Sequence, residues 1–188
     1  MKLTREDWLS QGMQVLAEHG PEAIKIDRLC GYLKVTKGSF YHYFANRGDF
    51  LDALLVYWQT HYTEDIIRAV ADIADPAQRS EQLSAEITAI PDRRPEVVLR
   101  SWSLQEPKIA VVVARVDHRR LTFLTELIAA QVGSVAKANL IAKVVYAHFV
   151  GCQYLGDLVD DAECQEMDQL LRTMVRQFAE SFTTGDGS

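Results

Sequence analysis

The residues best suited to chemistry lie in one short run, where a cation and small polar residues precede a series of aromatic rings. Lys37 opens this run, two small residues follow, and aromatic side chains, counting His42, fill positions 40–44. Ammonium and hydroxyl groups donate hydrogen bonds to phosphate oxygens. On a helix, Phe40 and Phe44 fall on one face and should be buried, which leaves the polar residues on other faces. This pattern favours a nucleic-acid contact over an aromatic-rich core helix.

The charge distribution supports this interpretation, although the total charge does not. The 188 residues carry a formal charge of −6, which alone argues against nucleic-acid binding. Residues 1–24 have a net charge of −2, residues 25–47 of +4, and residues 48–188 of −8. A solvated basic face would also account for the central segment. Its basic residues are Lys25, Arg28, Lys34, Lys37 and Arg47.

Residues 26–47, which read IDRLCGYLKVTKGSFYHYFANR, resemble the helix-turn-helix signature of the TetR family of transcriptional regulators. The match is nearly position by position over residues 35–44. The resemblance implies that Lys37, Gly38 and Ser39 face base edges, and that Phe40, Phe44 and Leu29 hold the two helices together. The residues expected to contact DNA are Lys25, Thr36, Lys37, Gly38, Ser39, Tyr41, His42, Tyr43 and Arg47, of which Tyr41, Tyr43 and Arg47 are expected to be phosphate anchors.

The segment departs from the family pattern at several positions. Lys34 occupies the turn position where the family has glycine, and a left-handed backbone there costs a non-glycine residue about 1 kcal/mol. Arg47 replaces the closing lysine and keeps the positive charge. Lys25 and Ile26 provide no good N-cap for the second helix. Cys30 stands where a small residue is usual, and we expect it to be buried.

The whole chain reads as all-α. Thr4 and Gly20 should bound the first helix, and Asp75-Pro76 should begin another. We expect a helix-turn-helix domain over residues 1–47 and a larger effector-binding and dimerisation domain over residues 48–188. The predicted helices span residues 4–19, 26–33, 36–43, 49–73, 76 to about 90, 107–132, 135–155 and 162–182, with a break between Pro91 and Pro95.

The resemblance also implies a ligand pocket and a dimer interface in the second domain. Aromatic and ionisable residues of the central helices are the pocket candidates: Trp58, Tyr62, Trp102, His118, Phe123, Tyr146 and Phe149. Small and apolar residues on the last two helices are the dimer candidates: Ala147, Gly151, Tyr154, Leu170, Leu171, Met174 and Phe178. A dimer would place two recognition helices on a pseudo-palindromic operator. The leading hypothesis is a repressor that a small-molecule effector releases from its operator.

Two alternatives remain open at this point: an all-helical small-molecule enzyme, and a DNA-binding dimer without an effector. The best enzymatic pair is His148 and Cys152, four residues apart, which would suit a thiolate–imidazole pair or a weak metal pair. No catalytic motif accompanies them, so we expect no enzyme, no cofactor and no metal. Three scattered cysteines, no apolar leader and no long apolar run predict a soluble, cytoplasmic protein without a membrane partner.

Overall fold

The structure is a computed structural model that describes residues 3–183, apart from the side chains of residues 157 and 179–183. Every regular element within that range is helical, as the sequence predicts. Short 3₁₀ turns occupy Pro21–Ala23 and Gly156–Leu158, and a π-helical turn occupies Thr60–Glu64. The α-helices are α1 (Arg5–His19), α2 (Ile26–Leu33), α3 (Lys37–Tyr41), α4 (Arg47–Gln59), α5 (Asp65–Ala69), α6 (Pro76–Thr88), α7 (Arg94–Ser103), α8 (Pro107–Val132), α9 (Val135–Leu155) and α10 (Asp161–Thr183).

Capping residues set the ends of α1, as predicted. The Thr4 hydroxyl accepts a hydrogen bond from the Asp7 backbone N–H at 3.1 Å, and the Asp7 carboxylate accepts one from the Thr4 N–H at 2.7 Å. This reciprocal pair satisfies two backbone donors at the start of the helix. Gly20, with φ of 72°, ends it. Asp75 likewise caps α6 through the Gln78 N–H at 2.8 Å, with Pro76 in the first turn.

Two predicted helices have different bounds in the structure. The helix expected over residues 49–73 begins earlier, because the Asn46 side chain caps α4 by accepting from the Asp49 N–H at 3.0 Å. It is then interrupted by the π-helical turn, after which α5 is short. The recognition helix expected over residues 36–43 ends at Tyr41, because the chain tightens there into an i→i+3 bond from the Tyr43 N–H to the Phe40 carbonyl.

Packing groups the residues into two compact units. The first, here called the N-terminal unit, contains the chain through Asp65 together with Asp92–Ala114. The second, the C-terminal unit, contains Ile66–Pro91 and the chain from Arg115 onward. The functional boundary predicted after residue 47 stays a prediction.

The core of the N-terminal unit is built on α1, which packs against α2, α4 and α7. Trp8 of α1 makes edge-to-face contacts with Phe40 and Phe44, at centroid distances of 5.5 and 6.4 Å. Phe50 of α4 completes this aromatic cluster, 4.9 Å from Phe44. The α1 backbone approaches Phe50 so closely at Gly12 that a Cβ there would lie 2.7 Å from the ring. The aromatic cluster therefore fixes the recognition helix to α1 and α4.

Two apolar clusters form the core of the C-terminal unit. In one, Ile128 and Val132 of α8 pack against Ala138 and Ala142 of α9. In the other, Val70, Leu83 and Leu127 join the segment after α5 to α6 and α8. Within the part of the chain that the structure describes, none of the helices combines the length and apolar character needed to cross a bilayer.

Candidate nucleic-acid interface

The turn between α2 and α3 has the geometry of a helix-turn-helix. Lys34 ends α2 in the left-handed region, with φ of 54° and ψ of 41°. This is the conformation expected where the family has glycine. It is less favourable for lysine, because the Cβ crowds the following carbonyl oxygen. The Val35 N–H then bonds to the Cys30 carbonyl at 3.0 Å, which closes the end of α2. As expected, the N-terminus of α2 has no side-chain cap.

The Thr36 side chain begins α3 by accepting a hydrogen bond from the Ser39 N–H at 3.4 Å. Because this hydroxyl serves as the N-cap, its oxygen helps to fix the orientation of the recognition helix. Phe40 and Phe44 are fully buried, and so is Leu29 of α2. This burial is as expected for side chains that hold the two helices together.

The opposite face of the recognition segment is open to solvent. On this face Lys37 is exposed, Tyr41 is 55% exposed, and Ser39 is half-buried. The aromatic cluster lies on the other side of α3. The DNA contacts themselves stay predictions. The predicted DNA-facing residues exposed here are Thr36, Lys37, Gly38, Tyr41 and His42.

Two of the predicted DNA-contacting lysines form exposed ion pairs. Lys37 Nζ lies 2.5 Å from Oδ1 of Asp27, and Lys25 Nζ lies 2.5 Å from Oε2 of Glu22. The bond to Asp27 raises the pKa of Lys37, and the bond to Lys25 lowers the pKa of Glu22. A phosphate that binds either ammonium must therefore compete with a carboxylate of the same chain.

Two predicted phosphate anchors are engaged with the backbone instead. The Tyr43 hydroxyl donates to the Leu3 carbonyl at 2.7 Å, and Nε of Arg47 donates to the Ile24 carbonyl at 2.5 Å. Tyr43 is half-buried, whereas Arg47 is exposed at the start of α4. Both bonds join distant chain segments, 40 and 23 residues apart. Nothing in the sequence pattern distinguishes this structural role from a phosphate contact.

The same segment matches a known family model. Residues 9–54 match the model described as bacterial regulatory proteins of the tetR family. The N-terminal region of the chain is therefore similar to that of the tetR-family regulators. The matched residues cover most of α1 and extend to Leu54 of α4, so they include the aromatic cluster and the recognition helix.

Comparison with individual proteins agrees with this family. The chain is 33% identical over 70 residues to the transcriptional regulator AcuR of Cereibacter sphaeroides. These residues make up 37% of this chain and 32% of AcuR. The match thus spans about a third of that relative's length.

Solved structures share the fold of nearly the whole chain. A transcriptional regulator from Rhodococcus sp. Rha1 has a TM-score of 0.71 at 14% identity, covering 93% of this chain and 97% of that one. AibR, solved in complex with isovaleryl coenzyme A and operator DNA, has a TM-score of 0.68 at 16% identity, covering 90% and 96%. The fold is therefore all-α, with an N-terminal helix-turn-helix and a helical C-terminal part.

The residues predicted for an effector pocket fall into both units. In the N-terminal unit, the Trp58 side chain is fully buried, and its Nε1 donates to Oε2 of Glu96 at 3.0 Å. Glu96, 2% exposed, also accepts from Nε and Nη2 of Arg100 at 3.0 and 2.8 Å. Sequence reasoning missed this network, although Glu96 and Arg100 have the i, i+4 spacing of a helical ion pair.

Tyr62 and Trp102 are the other pocket candidates of the N-terminal unit, and both are half-buried. The Tyr62 hydroxyl donates to the Asp92 carbonyl at 3.3 Å. Burial, with a smaller contribution from the Asp92 carboxylate, raises the pKa of Tyr62 to about 12. This phenol therefore stays protonated at neutral pH and acts as a hydrogen-bond donor.

In the C-terminal unit, the structure brings two pocket candidates together. The Tyr146 hydroxyl donates to Oδ1 of Asp117 at 2.7 Å and lies 3.4 Å from Nη1 of Arg120. The Phe149 ring stacks on Tyr146 at 5.8 Å, and the Arg120 guanidinium lies 5.6 Å from its centroid. Phe123 packs instead into the cluster around Val70, and His118 is exposed.

The predicted dimer residues are largely open to solvent. Leu170, Met174 and Phe178 of α10 are 56%, 52% and 43% exposed, and Tyr154 of α9 is 50% exposed. Ala147 is exposed as well, while Gly151 and Leu171 are half-buried. Large apolar side chains exposed in a row are typical of a surface that binds another protein.

Proposed function

We propose that this chain is a DNA-binding transcriptional regulator that represses transcription from a pseudo-palindromic operator as a homodimer. The observation that carries the proposal is the recognition helix: α3 is capped by Thr36, fixed from behind by the aromatic cluster and exposed on its polar face. Such a helix can enter the major groove without any rearrangement of its support.

The exposed side chains suggest which residues contact bases and which contact phosphates. Lys37, Gly38 and Ser39 lie at the N-terminal end of α3, from which helix-turn-helix proteins read base edges. Tyr41 carries its hydroxyl on the exposed face and is a phosphate contact. The Nε–H of Arg47 is donated to the Ile24 carbonyl, so a phosphate contact from Arg47 would use its Nη groups.

The dimer would form through α9 and α10. Their exposed apolar side chains include Leu170 and Met174, which lie four residues apart and so share a helix face. Burying such a face against its twofold copy removes apolar surface from water. Met174→Glu should convert the dimer to monomer in sedimentation velocity, while Thr173→Glu, at an exposed polar neighbour on α10, should leave it dimeric.

The proposed regulation is the release of the dimer from its operator when a small-molecule effector binds. AibR, which shares the fold, was solved with both a small molecule and operator DNA bound. An effector that binds better to a DNA-incompetent conformation would shift the dimer from its operator. Thermal-shift screening that begins with isovaleryl coenzyme A and small aromatic compounds tests this step. A hit that fails to weaken DNA binding would contradict it.

The DNA-binding proposal is tested with a matched pair of lysine variants. Lys37 pairs with Asp27, and Lys108, outside the helix-turn-helix, pairs with Asp52 at the same distance of 2.5 Å. After selection of a high-affinity duplex from a random pool, fluorescence anisotropy compares Lys37→Ala with Lys108→Ala. We expect roughly a tenfold or greater loss of affinity for Lys37→Ala, the size of one good base contact, and none for Lys108→Ala. Equal affinities for both variants and the wild type would refute the assigned interface.

A further inference from the structure

Two reactive side chains of α9 lie one helical turn apart and take no part in the proposed DNA contacts. Sγ of Cys152 is 3.6 Å from Nδ1 and 3.8 Å from Nε2 of His148, and both side chains are half-buried. Residues four apart project from the same side of a helix, so the secondary structure itself holds the pair together. The imidazole is therefore placed to take up the thiol proton.

Cys152 differs from the two other cysteines of the chain in both exposure and surroundings. Cys30 and Cys164 are buried. Burial, with the Asp27 carboxylate nearby, raises the pKa of the Cys30 thiol. The thiolate is the nucleophilic form of cysteine, and an adjacent imidazole favours that form whereas apolar burial opposes it. The chain thus provides its own internal controls for the reactivity of Cys152.

The half-buried Cys152 side chain keeps part of its surface in contact with solvent. A Cβ built on Gly151 would meet no other heavy atom within 4 Å. Gly151 also belongs to the proposed dimer face, so we expect only a small, uncharged molecule to reach the thiol. Among the described residues, no third His, Cys, Asp or Glu side chain joins this pair to form a metal-binding group. Proton transfer is therefore the chemistry that the pair supports.

We infer that Cys152 is a site of oxidation by a hydroperoxide, with His148 as its acid–base partner. His148 takes the thiol proton, and the thiolate sulfur attacks the hydroxyl oxygen of the peroxide. An S–O bond forms as the O–O bond breaks. The departing hydroxide or alkoxide takes the proton back from the imidazolium and leaves as water or an alcohol. Sulfur loses two electrons and the peroxide gains two, which gives Cys152 sulfenic acid.

The test uses the wild-type chain, so it does not depend on how a variant folds. The protein is treated with hydrogen peroxide, sulfenic acids are trapped with dimedone, and peptides are quantified by mass spectrometry. Dimedone should appear on Cys152 roughly tenfold faster than on Cys30 or Cys164, because thiolate character and exposure both favour Cys152. Equal labelling of the three cysteines, or none at Cys152, would overturn the inference.

The role of His148 is tested separately with His148→Gln, whose side chain still forms hydrogen bonds but cannot take up a proton. Its oxidation rate should fall, and the pH dependence of the rate should move toward that of a free thiol, with a pKa of about 8.5. His61→Gln, at an exposed histidine that pairs with Asp65, should react as the wild type does. A folded His148→Gln variant with an unchanged rate at every pH would remove His148 from the reaction.

Discussion

Replacing Glu96 with leucine should destabilise the protein by about 3–5 kcal/mol, the usual cost of removing one partner of a buried ion pair. The Glu96 carboxylate accepts hydrogen bonds from Trp58 and, through two nitrogens, from Arg100. Leucine has a similar volume, but it leaves the Arg100 guanidinium without this carboxylate. The cost is therefore dominated by the loss of this carboxylate from the neighbourhood of a largely buried guanidinium.

The structure places the expected effect at the lower end of that range. The Arg100 side chain is 10% exposed and so keeps part of its hydration, which favours about 3 kcal/mol. For a chain of this length, each kcal/mol shifts the thermal midpoint by roughly 2–4 °C, so a fall of about 6–12 °C follows. Circular dichroism melts and urea titrations at pH 7 measure it. The control Asp52→Ala breaks the exposed pair with Lys108 and should lower the midpoint by less than about 3 °C.

A double-mutant cycle separates the cost of breaking this pair from its net value. Arg100→Met alone should destabilise the protein to a similar extent, because the buried Glu96 carboxylate loses the two hydrogen bonds that Arg100 donates. The double variant Glu96→Leu/Arg100→Met should lose less than the sum of the two single losses, since neither charge remains. A midpoint within about 2 °C of the wild type for Glu96→Leu, or strictly additive losses, would refute this account of the network.

Three further predictions concern other parts of the N-terminal unit. Asp27→Asn removes the carboxylate that competes with DNA for Lys37, so affinity for the selected duplex should rise; an unchanged affinity would contradict this. Gly12→Ala places a Cβ 2.7 Å from the Phe50 ring, and this clash should lower the free energy of unfolding by about 1–3 kcal/mol. The higher helix propensity of alanine offsets up to about 1 kcal/mol of that loss. Gly31→Ala, with nothing within 4 Å, should not destabilise, and a loss as large as that of Gly12→Ala would exclude the steric explanation. Burial raises the pKa of Tyr62 from 10 to about 12, so this phenol loses its proton at a lower pH in the unfolded chain than in the folded one. The free energy of unfolding should therefore fall as pH rises from 10 to about 12. Alkaline urea titrations of Tyr62→Phe should lack this component, and an identical pH dependence in both proteins would argue against it.

The helical architecture and the helix-turn-helix could be predicted from the sequence because both depend on local signals. Thr4, Asp75 and Gly20 act within one turn of the chain, and each bounds a helix where expected. The aromatic pair Phe40 and Phe44 is buried because its spacing places both rings on one helix face.

The remaining features depend on which distant groups meet. Tyr43 and Arg47 match the motif, yet their donors reach carbonyls 40 and 23 residues away. Asp27 faces Lys37 only because the left-handed turn at Lys34 orients α2 and α3. The π-helical turn at Thr60–Glu64 has no equivalent local signature. Tertiary contacts of this kind are not encoded in hydrophobic periodicity.

The positions of the tryptophans have a spectroscopic consequence. The chain has three, Trp8, Trp58 and Trp102, and all of them belong to the N-terminal unit. Trp8 contacts the recognition helix through Phe40, and Trp58 is bonded to Glu96. Indole emission therefore reports on the N-terminal unit alone, whereas the far-ultraviolet circular dichroism signal comes from the helices of both units. Melts followed by the two signals would coincide if the units unfold cooperatively and separate if they do not. The protein thus carries intrinsic fluorophores for observing its N-terminal unit without a label.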